Sequence, residues 1–154
     1  MVAAGAYDPV QRAHEGLVVT CLIVAFGAYL LGSIPFGFLV AKAKGIDIRS
    51  VGSGNIGATN AMRVLGKPMG IFVLLMDAVK GYAACAFLPP LVYGWVAPHY
   101  SGFYVLFEKG SPDSQMRLYV IAGVCAVLGH NYTCWLKFKG GKGIATTARS
   151  EERR

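Results

Sequence analysis

The pattern of apolar and polar positions divides the chain into long hydrophobic runs separated by basic segments. Residues 17–41 and residues 118–136 contain no Lys, Arg, Asp or Glu. A helix rises about 1.5 Å per residue and the hydrocarbon core of a bilayer is about 30 Å thick, so each run is long enough to cross a membrane. Residues 69–88 form a further run, interrupted by Asp77 and Lys80. The pattern predicts an all-α fold, a polytopic bundle of about three transmembrane helices.

The middle run is expected to end at Pro89 and Pro90, because proline interrupts the hydrogen-bond ladder of a helix. Aromatic side chains are frequent in the next stretch, which suits a belt at the membrane interface or a short re-entrant segment. These aromatic residues are Tyr93, Trp95, Tyr100, Phe103, Tyr104 and Phe107. The pattern leaves the path of residues 89–117 open.

Composition agrees with a membrane protein. Charged residues make up 15% of the 154 residues, whereas soluble domains carry about 25%. No linker or repeat divides the chain, so we expect one membrane domain over residues 1–147. The cysteines lie in apolar segments without a C-x-x-C pair, which favours buried small side chains over disulfides or metal ligands. They are Cys21, Cys85, Cys125 and Cys134.

The net charge of +7 is concentrated in two segments. The loop after the first run contains Lys42, Lys44, Arg49, Arg63 and Lys67. The tail after the last run contains Lys137, Lys139, Lys142, Arg149, Arg153 and Arg154. Short cytoplasmic loops are enriched in Lys and Arg, so both segments are predicted to face the cytoplasm, with the N-terminus outside. Because topology accounts for this charge, no nucleic-acid partner is expected.

The first basic loop is rich in glycine. Gly52, Gly54 and Gly57 allow the backbone to turn so that successive N–H groups point to one side, which is the geometry of an anion-binding nest. A helix over residues 58–65 is predicted to follow, and its N-terminus also favours an anion. The G-x-G-x-x-G spacing matches a dinucleotide fingerprint, but membrane spans on both sides exclude the βαβ unit that this fold needs. A flexible turn without a ligand is the alternative.

Side chains in and after this loop supply further donors. We expect a substrate phosphate to be bound by several of them together with the glycine backbone, and arginine suits phosphate through its forked donors. The predicted phosphate-binding residues of this loop are Ser53, Gly54, Asn55, Asn60 and Arg63, with Arg49 beside them.

A second glycine-and-cation segment follows the last run. Gly140, Gly141, Lys142 and Gly143 again offer backbone N–H groups beside an ammonium group. The G-x-x-x-x-G-K-[ST] spacing of a Walker A loop is absent, so no nucleotide is implied. By itself the segment also fits a basic patch that touches anionic lipid. Two such loops at one membrane face favour a shared anion site.

Polar groups inside the runs lie towards the predicted cytoplasmic side. Ser33 precedes Pro35 near the end of the first run, and His130 lies late in the last run. Asp77 and Lys80 are neighbours on one helical face, either as a structural ion pair or as groups that face a cavity. His130 is either a packed, hydrogen-bonded histidine or a catalytic base.

Together these motifs resemble the bacterial acyl-phosphate:glycerol-3-phosphate acyltransferases of the PlsY type. The resemblance covers residues 28–147 and rests on residues 32–35 (Gly-Ser-Ile-Pro), 49–63, 77–81, 129–130 and 138–146. It implies transfer of a fatty acyl group from acyl phosphate to the sn-1 hydroxyl of glycerol 3-phosphate, giving lysophosphatidic acid for phospholipid biosynthesis. It also implies a bacterial inner-membrane location, contact with membrane lipid, and no metal or cofactor.

The same resemblance assigns roles by motif position. Ser33 and Arg49 correspond to the essential pair of the first motif, and residues 140–143 resemble the loop that binds the phosphate of glycerol 3-phosphate. We expect Arg49, Lys80 and Lys142 to hold the two substrate phosphates. The Ser33 hydroxyl is expected to stabilise the charge that develops on the acyl carbonyl oxygen. The general base is either His130 or a phosphate oxygen of the substrate.

The family pattern is expected to continue past residue 147 with further spans, whereas residues 148–154 form a polar tail. Relative to the family, the chain is therefore expected to be truncated at its C-terminus. Two other classes stay open from the residues alone. One is a transporter or membrane binding protein for a phosphorylated anion, and the other is an inactive fragment.

Overall fold

The computed structural model describes residues 8–100 and 112–140, and all regular structure within these ranges is helical. The helices are α1 (Pro9–Gly32), α2 (Phe36–Ala43), α3 (Ala58–Leu65), α4 (Lys67–Val96) and α5 (Pro112–Asn131), with short 3-10 turns at Ala97–His99 and Cys134–Leu136. Within the described ranges, the segments that are long and apolar enough to cross a membrane are Val10–Ala43, Lys67–His99 and Gln115–Leu136. The predicted all-α membrane bundle is confirmed.

The first span is broken near its end. Asp8 caps α1 by accepting a 2.9 Å hydrogen bond from the Val10 amide, and α1 then runs to Gly32. Pro35 has no N–H to donate, which removes one hydrogen bond of the ladder, and here the helix does not continue. α2 starts afresh with the Leu39 amide donating to the Pro35 carbonyl at 3.0 Å. The disturbance predicted at Pro35 is confirmed as a complete break.

The prediction that Pro89 and Pro90 end the second span is wrong, because α4 continues through both prolines to Val96. Proline is tolerated inside membrane helices where packing compensates for the lost hydrogen bonds, and Pro89 is fully buried. Tyr93 and Trp95 therefore lie on a helix. The predicted belt residues Phe103, Tyr104 and Phe107 lie outside the described residues.

The packing of the helix ends sets their directions. Leu118, near the start of α5, packs with Leu17 and Cys21 of α1 and with Ala97 beyond the end of α4. At the other end, Thr133 after α5 bonds to Ser33 after α1. α1 and α5 therefore run parallel, and α4 runs antiparallel to both. The basic loop after α2 and the segment after α5 lie at the same end of the bundle.

Small residues bring α1 and α5 together at that end. A Cβ added at Gly32 would collide with the Ala126 carbonyl, and a Cβ added at Gly129 would collide with the Tyr29 carbonyl. Helices in membranes associate through such close backbone contact, since lipid removes most of the hydrophobic driving force. The contact fixes the relative position of the α1–α2 break and the end of α5.

Candidate functional site

The break between α1 and α2 is held by side chains from the other two spans. Thr133 Oγ1 donates to the Ser33 carbonyl at 2.5 Å, and Lys80 Nζ donates to the Ile34 carbonyl at 2.7 Å. These carbonyls have no partner in a continuing helix, because Pro35 ends the ladder. In an apolar environment such groups are costly unless they are bonded. The two donors therefore supply hydrogen bonds to the carbonyls exposed by the break.

The hydroxyl of Ser33 lies at the centre of this junction. Ser33 is 1% exposed, and within the described part of the chain its Oγ has no hydrogen-bond partner. Buried hydroxyls are nearly always bonded, so an unbonded one needs an explanation. The bonding of this hydroxyl is left open by the described residues, and the catalytic role of Ser33 stays a prediction.

Asp77, Lys80 and His130 form a polar cluster beside the break. Lys80 Nζ lies 2.7 Å from Asp77 Oδ1, and His130 Nδ1 lies 3.7 Å from the same oxygen. The ion pair between Asp77 and Lys80, one of the two predicted arrangements, is confirmed. All three residues line a largely apolar cleft of about 330 Å³ between α4 and α5. Asp77 and Lys80 therefore also face a cavity, which was the other predicted arrangement.

Lys80 is less available than predicted for a substrate phosphate. Its side chain is 5% exposed, its ammonium group forms an ion pair with Asp77, and it donates to the Ile34 carbonyl. The side chain chiefly holds the break in place.

The glycine loop has the predicted turns but uses its amides internally. Gly52 and Gly54 have φ of 61° and 68°, which other residues rarely adopt. The Gly54 amide donates to the Val51 carbonyl at 3.1 Å, and the Gly57 amide donates to Asn55 Oδ1 at 3.1 Å. These N–H groups are not free for an anion, so the predicted open nest is wrong for them.

Asn60 organises the same loop. It is 1% exposed, and its Oδ1 accepts from the Ser53 amide at 2.9 Å. Its Nδ2 lies 3.2, 3.2 and 2.8 Å from the carbonyls of Ile48, Val51 and Asn55. The predicted phosphate contact of Asn60 is not supported, because its amide is committed to the loop backbone. The helix predicted after this loop is confirmed as α3, which begins at Ala58. Arg63 lies in its last turn, away from the helix N-terminus that is expected to favour an anion.

Arg49 is exposed but not unpaired. Its Nε donates to Asp47 Oδ1 at 2.9 Å and its Nη2 donates to Oδ2 at 2.8 Å. These hydrogen bonds lower the pKa of Asp47 to about 2 and raise the pKa of Arg49. The guanidinium carbon also lies 5.0 Å from the centre of the Phe38 ring. Asp47 and Phe38 are partners that the sequence interpretation did not identify.

The second loop reaches the same region. Leu136 packs on the apolar cluster of Ala41, Ile48, Ile56, Ala61 and Val73, which lies under the first loop. Trp135 and Leu136 also line a cleft with Phe38, the residue over which Arg49 stacks. Gly140 lies against the carbonyls of Asn131 and His130, where a Cβ would collide. Gly141, Lys142 and Gly143 lie outside the described residues.

Thr133 and Tyr29 were also missed by the sequence interpretation. Tyr29 donates from its hydroxyl to the Tyr132 carbonyl at 2.7 Å, and Thr133 bonds to Ser33 as described. Both bonds join residues about a hundred positions apart, and no local pattern signals such a pair. Asp47 did carry a local signal, since it lies two positions before Arg49.

The chain belongs to the glycerol-3-phosphate acyltransferase family, whose model matches residues 22–149. A glycerol-3-phosphate acyltransferase of Geobacter metallireducens is 47% identical over 130 residues, which is 84% of this chain and 56% of that protein. One of Desulforamulus reducens is 44% identical over 131 residues, 84% of this chain and 55% of that protein. The chain thus spans about half the length of the relatives that it matches.

Solved structures give the same result. The crystal structure of PlsY (YgiH), an integral membrane glycerol 3-phosphate acyltransferase, matches in its glycerol 3-phosphate form with a TM-score of 0.59 and 40% identity, covering 82% of this chain and 53% of that chain. The lysophosphatidic acid form matches with a TM-score of 0.57 and 38% identity, covering 82% and 52%. The resemblance to the PlsY type is confirmed.

Proposed function

We propose that the protein transfers a fatty acyl group from acyl phosphate to the sn-1 hydroxyl of glycerol 3-phosphate. The observation that carries the proposal is the buried, unpartnered Ser33 hydroxyl at a helix break beside Asp77, Lys80 and His130. The family relationship and the glycerol 3-phosphate and lysophosphatidic acid forms of PlsY support it. The product, lysophosphatidic acid, enters phospholipid biosynthesis.

In the proposed reaction, the hydroxyl oxygen of glycerol 3-phosphate attacks the acyl carbonyl carbon. A new ester C–O bond forms, the C–O bond to phosphate breaks, and inorganic phosphate leaves. The Ser33 hydroxyl donates to the carbonyl oxygen as negative charge develops there. Holding two reactants in register supplies much of the rate, since it removes the entropy cost of their encounter.

The phosphates are proposed to bind where the two basic segments meet. Arg49, half-exposed in its pair with Asp47, supplies guanidinium donors, and Arg63, Ser53 and Asn55 supply further donors. In the second loop, the backbone of residues 140–143 and the Lys142 ammonium group complete the site. The sequence predicted that backbone amides of the first loop bind the anion. In the proposed site, this loop contributes mainly side chains instead.

The site is proposed to face the cytoplasm of a bacterial cell, at the inner membrane, with the N-terminus outside. The basic loop after α2 and the basic segment after α5 lie at one end of the bundle, and short basic segments favour the cytoplasmic side. Both proposed substrates are phosphorylated, and the acyl tail belongs in lipid, so a site at this interface serves both.

The proton of the attacking hydroxyl goes either to His130 or to a phosphate oxygen. His130 Nδ1 lies 3.7 Å from Asp77 Oδ1, so Asp77 is close enough to orient the ring as it approaches a substrate. His130→Ala separates the two cases. A loss of turnover of about a hundredfold or more is expected for a general base, and near-normal turnover would assign the proton to the phosphate oxygen.

The activity is tested with membranes that contain this chain, acyl phosphate and labelled glycerol 3-phosphate. Labelled lysophosphatidic acid is expected, and Ser33→Ala is expected to abolish it. Thr20→Val is the matched control, because the Thr20 hydroxyl donates to the Gly16 carbonyl of its own helix. Uptake of label without acylation would contradict the proposal and indicate a transporter. Absence of product, with product from a relative of full family length in parallel, would indicate an inactive fragment.

A further inference from the structure

We propose that Thr133 and Lys80 are positioning residues that aim the Ser33 hydroxyl through the backbone. They donate to two consecutive carbonyls, those of Ser33 and Ile34. The catalytic consequence rests on the function proposed above, whereas the structural part of the inference does not. The motif resemblance assigns neither residue this role, and the role predicted above for Lys80 was to hold a phosphate.

The two donors come from different spans and converge on one turn. Thr133 is on the segment after α5 and is 1% exposed, and Lys80 is on α4 and is 6% exposed. A threonine hydroxyl has a single donor hydrogen, so the bond to Ser33 commits it. Asp77 lies 2.7 Å from the Lys80 ammonium group and keeps it directed towards the break.

Fixing these carbonyls fixes the direction of the Cα–Cβ bond of Ser33. The peptide plane that follows Ser33 contains its carbonyl, so a bond to that oxygen limits rotation about the Cα–C bond of Ser33. The next plane is held in turn by Lys80. On the other side of the turn, the backbone of Gly129 lies close to Ser33, since a Cβ added at Gly129 would lie 2.9 Å from the Ser33 amide nitrogen. These bonds hold the Cα–Cβ bond of Ser33 in one direction, and the close packing around the residue, which is 1% exposed, limits the positions that its hydroxyl can take.

The same bonds set the direction of α2. Ile34 accepts from Lys80 and also from the Phe36 amide at 3.2 Å, immediately before α2 begins. α2 carries Phe38, over which the Arg49 guanidinium lies. The proposed reaction centre therefore lies one short helix away from a contact of a proposed phosphate-binding cation.

Kinetics distinguish positioning from phosphate binding. Thr133→Val and Lys80→Met are expected to lower kcat about ten- to a hundredfold, the order of loss that a misplaced group causes, with KM for both substrates changed less than about twofold. Thr133→Ser and Lys80→Arg keep a donor and are expected to restore much of kcat. A large rise in KM for Lys80→Met at unchanged kcat would overturn the proposal in favour of a phosphate contact.

Hydrogen exchange tests the structural part without any activity. The amides of Phe36 and Leu39 bond to the carbonyls of Ile34 and Pro35, so loosening the break should speed their exchange by about tenfold or more. Thr133→Val and Lys80→Met are compared with Thr20→Val and Lys67→Met, which lie away from the break. Faster exchange only in the first pair supports the proposal even if no acylation is found. Unchanged exchange would overturn it, and the milder Thr133→Ser and Lys80→Arg provide the same comparison if a stronger variant does not fold.

Discussion

Arg49 and Asp47 face each other as a planar fork, with Nε 2.9 Å from Oδ1 and Nη2 2.8 Å from Oδ2. The side chains of both residues are about half exposed, at 49% and 47%, so an arriving anion can reach them. A phosphate that uses the same edge of the guanidinium group has to displace the carboxylate. In the proposed phosphate site, Asp47 would therefore compete with the phosphate for Arg49.

Asp47→Asn is predicted to tighten phosphate binding by about two- to fivefold, the usual worth of an exposed ion pair. The expected change is a lower dissociation constant for inorganic phosphate, measured by calorimetry on the purified protein. Asp8→Asn is the matched control, because Asp8 caps α1 at the other end of the bundle. Weaker binding by Asp47→Asn would show that the carboxylate orients Arg49 for the anion instead of competing with it.

The same pair predicts a pH dependence with a definite sign. The pKa of Asp47 is lowered from 3.8 to about 2 by its hydrogen bonds with Arg49. A lowered folded-state pKa gives a contribution to stability that is complete above the unfolded pKa and is lost as pH falls through the folded one. The loop should therefore keep its resistance to proteolysis from neutral pH down to about pH 4, near that unfolded value, and lose part of it as pH falls from there to about 2. Loss of protection at mildly acidic pH in the wild type, with no change in Asp47→Asn, would contradict this expectation.

Asn60→Ala is predicted to open the first loop. The substitution leaves the Ser53 amide and three carbonyls without the bonds that Asn60 supplies, and each buried unsatisfied group costs about 1–3 kcal/mol. Tryptic cleavage after Arg49 is expected to become at least about tenfold faster, in line with local opening. Ser50→Ala, which removes only an exposed bond to the Asp47 carbonyl, should leave the cleavage rate nearly unchanged. Equal rates for the two variants would remove the structural role given to Asn60.

Gly32→Ala and Gly129→Ala are predicted to destabilise the bundle, because each new Cβ collides with a backbone carbonyl of the neighbouring helix. Overpacking of this kind costs about 1–3 kcal/mol. Gly94→Ala is the control within α4. A Cβ there meets no atom within 4 Å in the described part of the chain, and alanine favours a helix by about 0.5–1 kcal/mol. Thermal unfolding in detergent should show lower Tm for the first two variants only. A Tm at or above wild type for Gly32→Ala would refute the close contact of α1 and α5.

Local features of the sequence were enough to predict the helical framework. The runs free of charge gave the spans, Pro35 marked the break, and the spacing of Asp77 and Lys80 gave their ion pair. α4 was predicted too short, because its prolines at 89 and 90 are breakers in water but are accommodated within a packed membrane helix. A helix boundary at proline therefore depends on the surroundings of the helix.

For the candidate site, the sequence indicated residues but not the contacts between them. Ser33 was identified from its motif, but nothing local indicates that Thr133 bonds to its carbonyl. The glycines at 52 and 54 do adopt left-handed turns, yet whether their neighbouring amides point at an anion or back into the loop depends on Asn60. Asn60 lies seven residues beyond Ser53 in the sequence. It can bond to the loop backbone only when α3 folds back over the loop.

The most direct test of the account is the distance between the two basic loops. Spin labels at Arg49→Cys and Lys142→Cys, in a background without the four native cysteines, report it by pulsed electron paramagnetic resonance in lipid bilayers. A shared phosphate site predicts a distribution centred below about 20 Å, clearly less than the roughly 30 Å hydrocarbon core. A distribution centred beyond that thickness would place the cations too far apart to grip neighbouring phosphates and would contradict the proposed site.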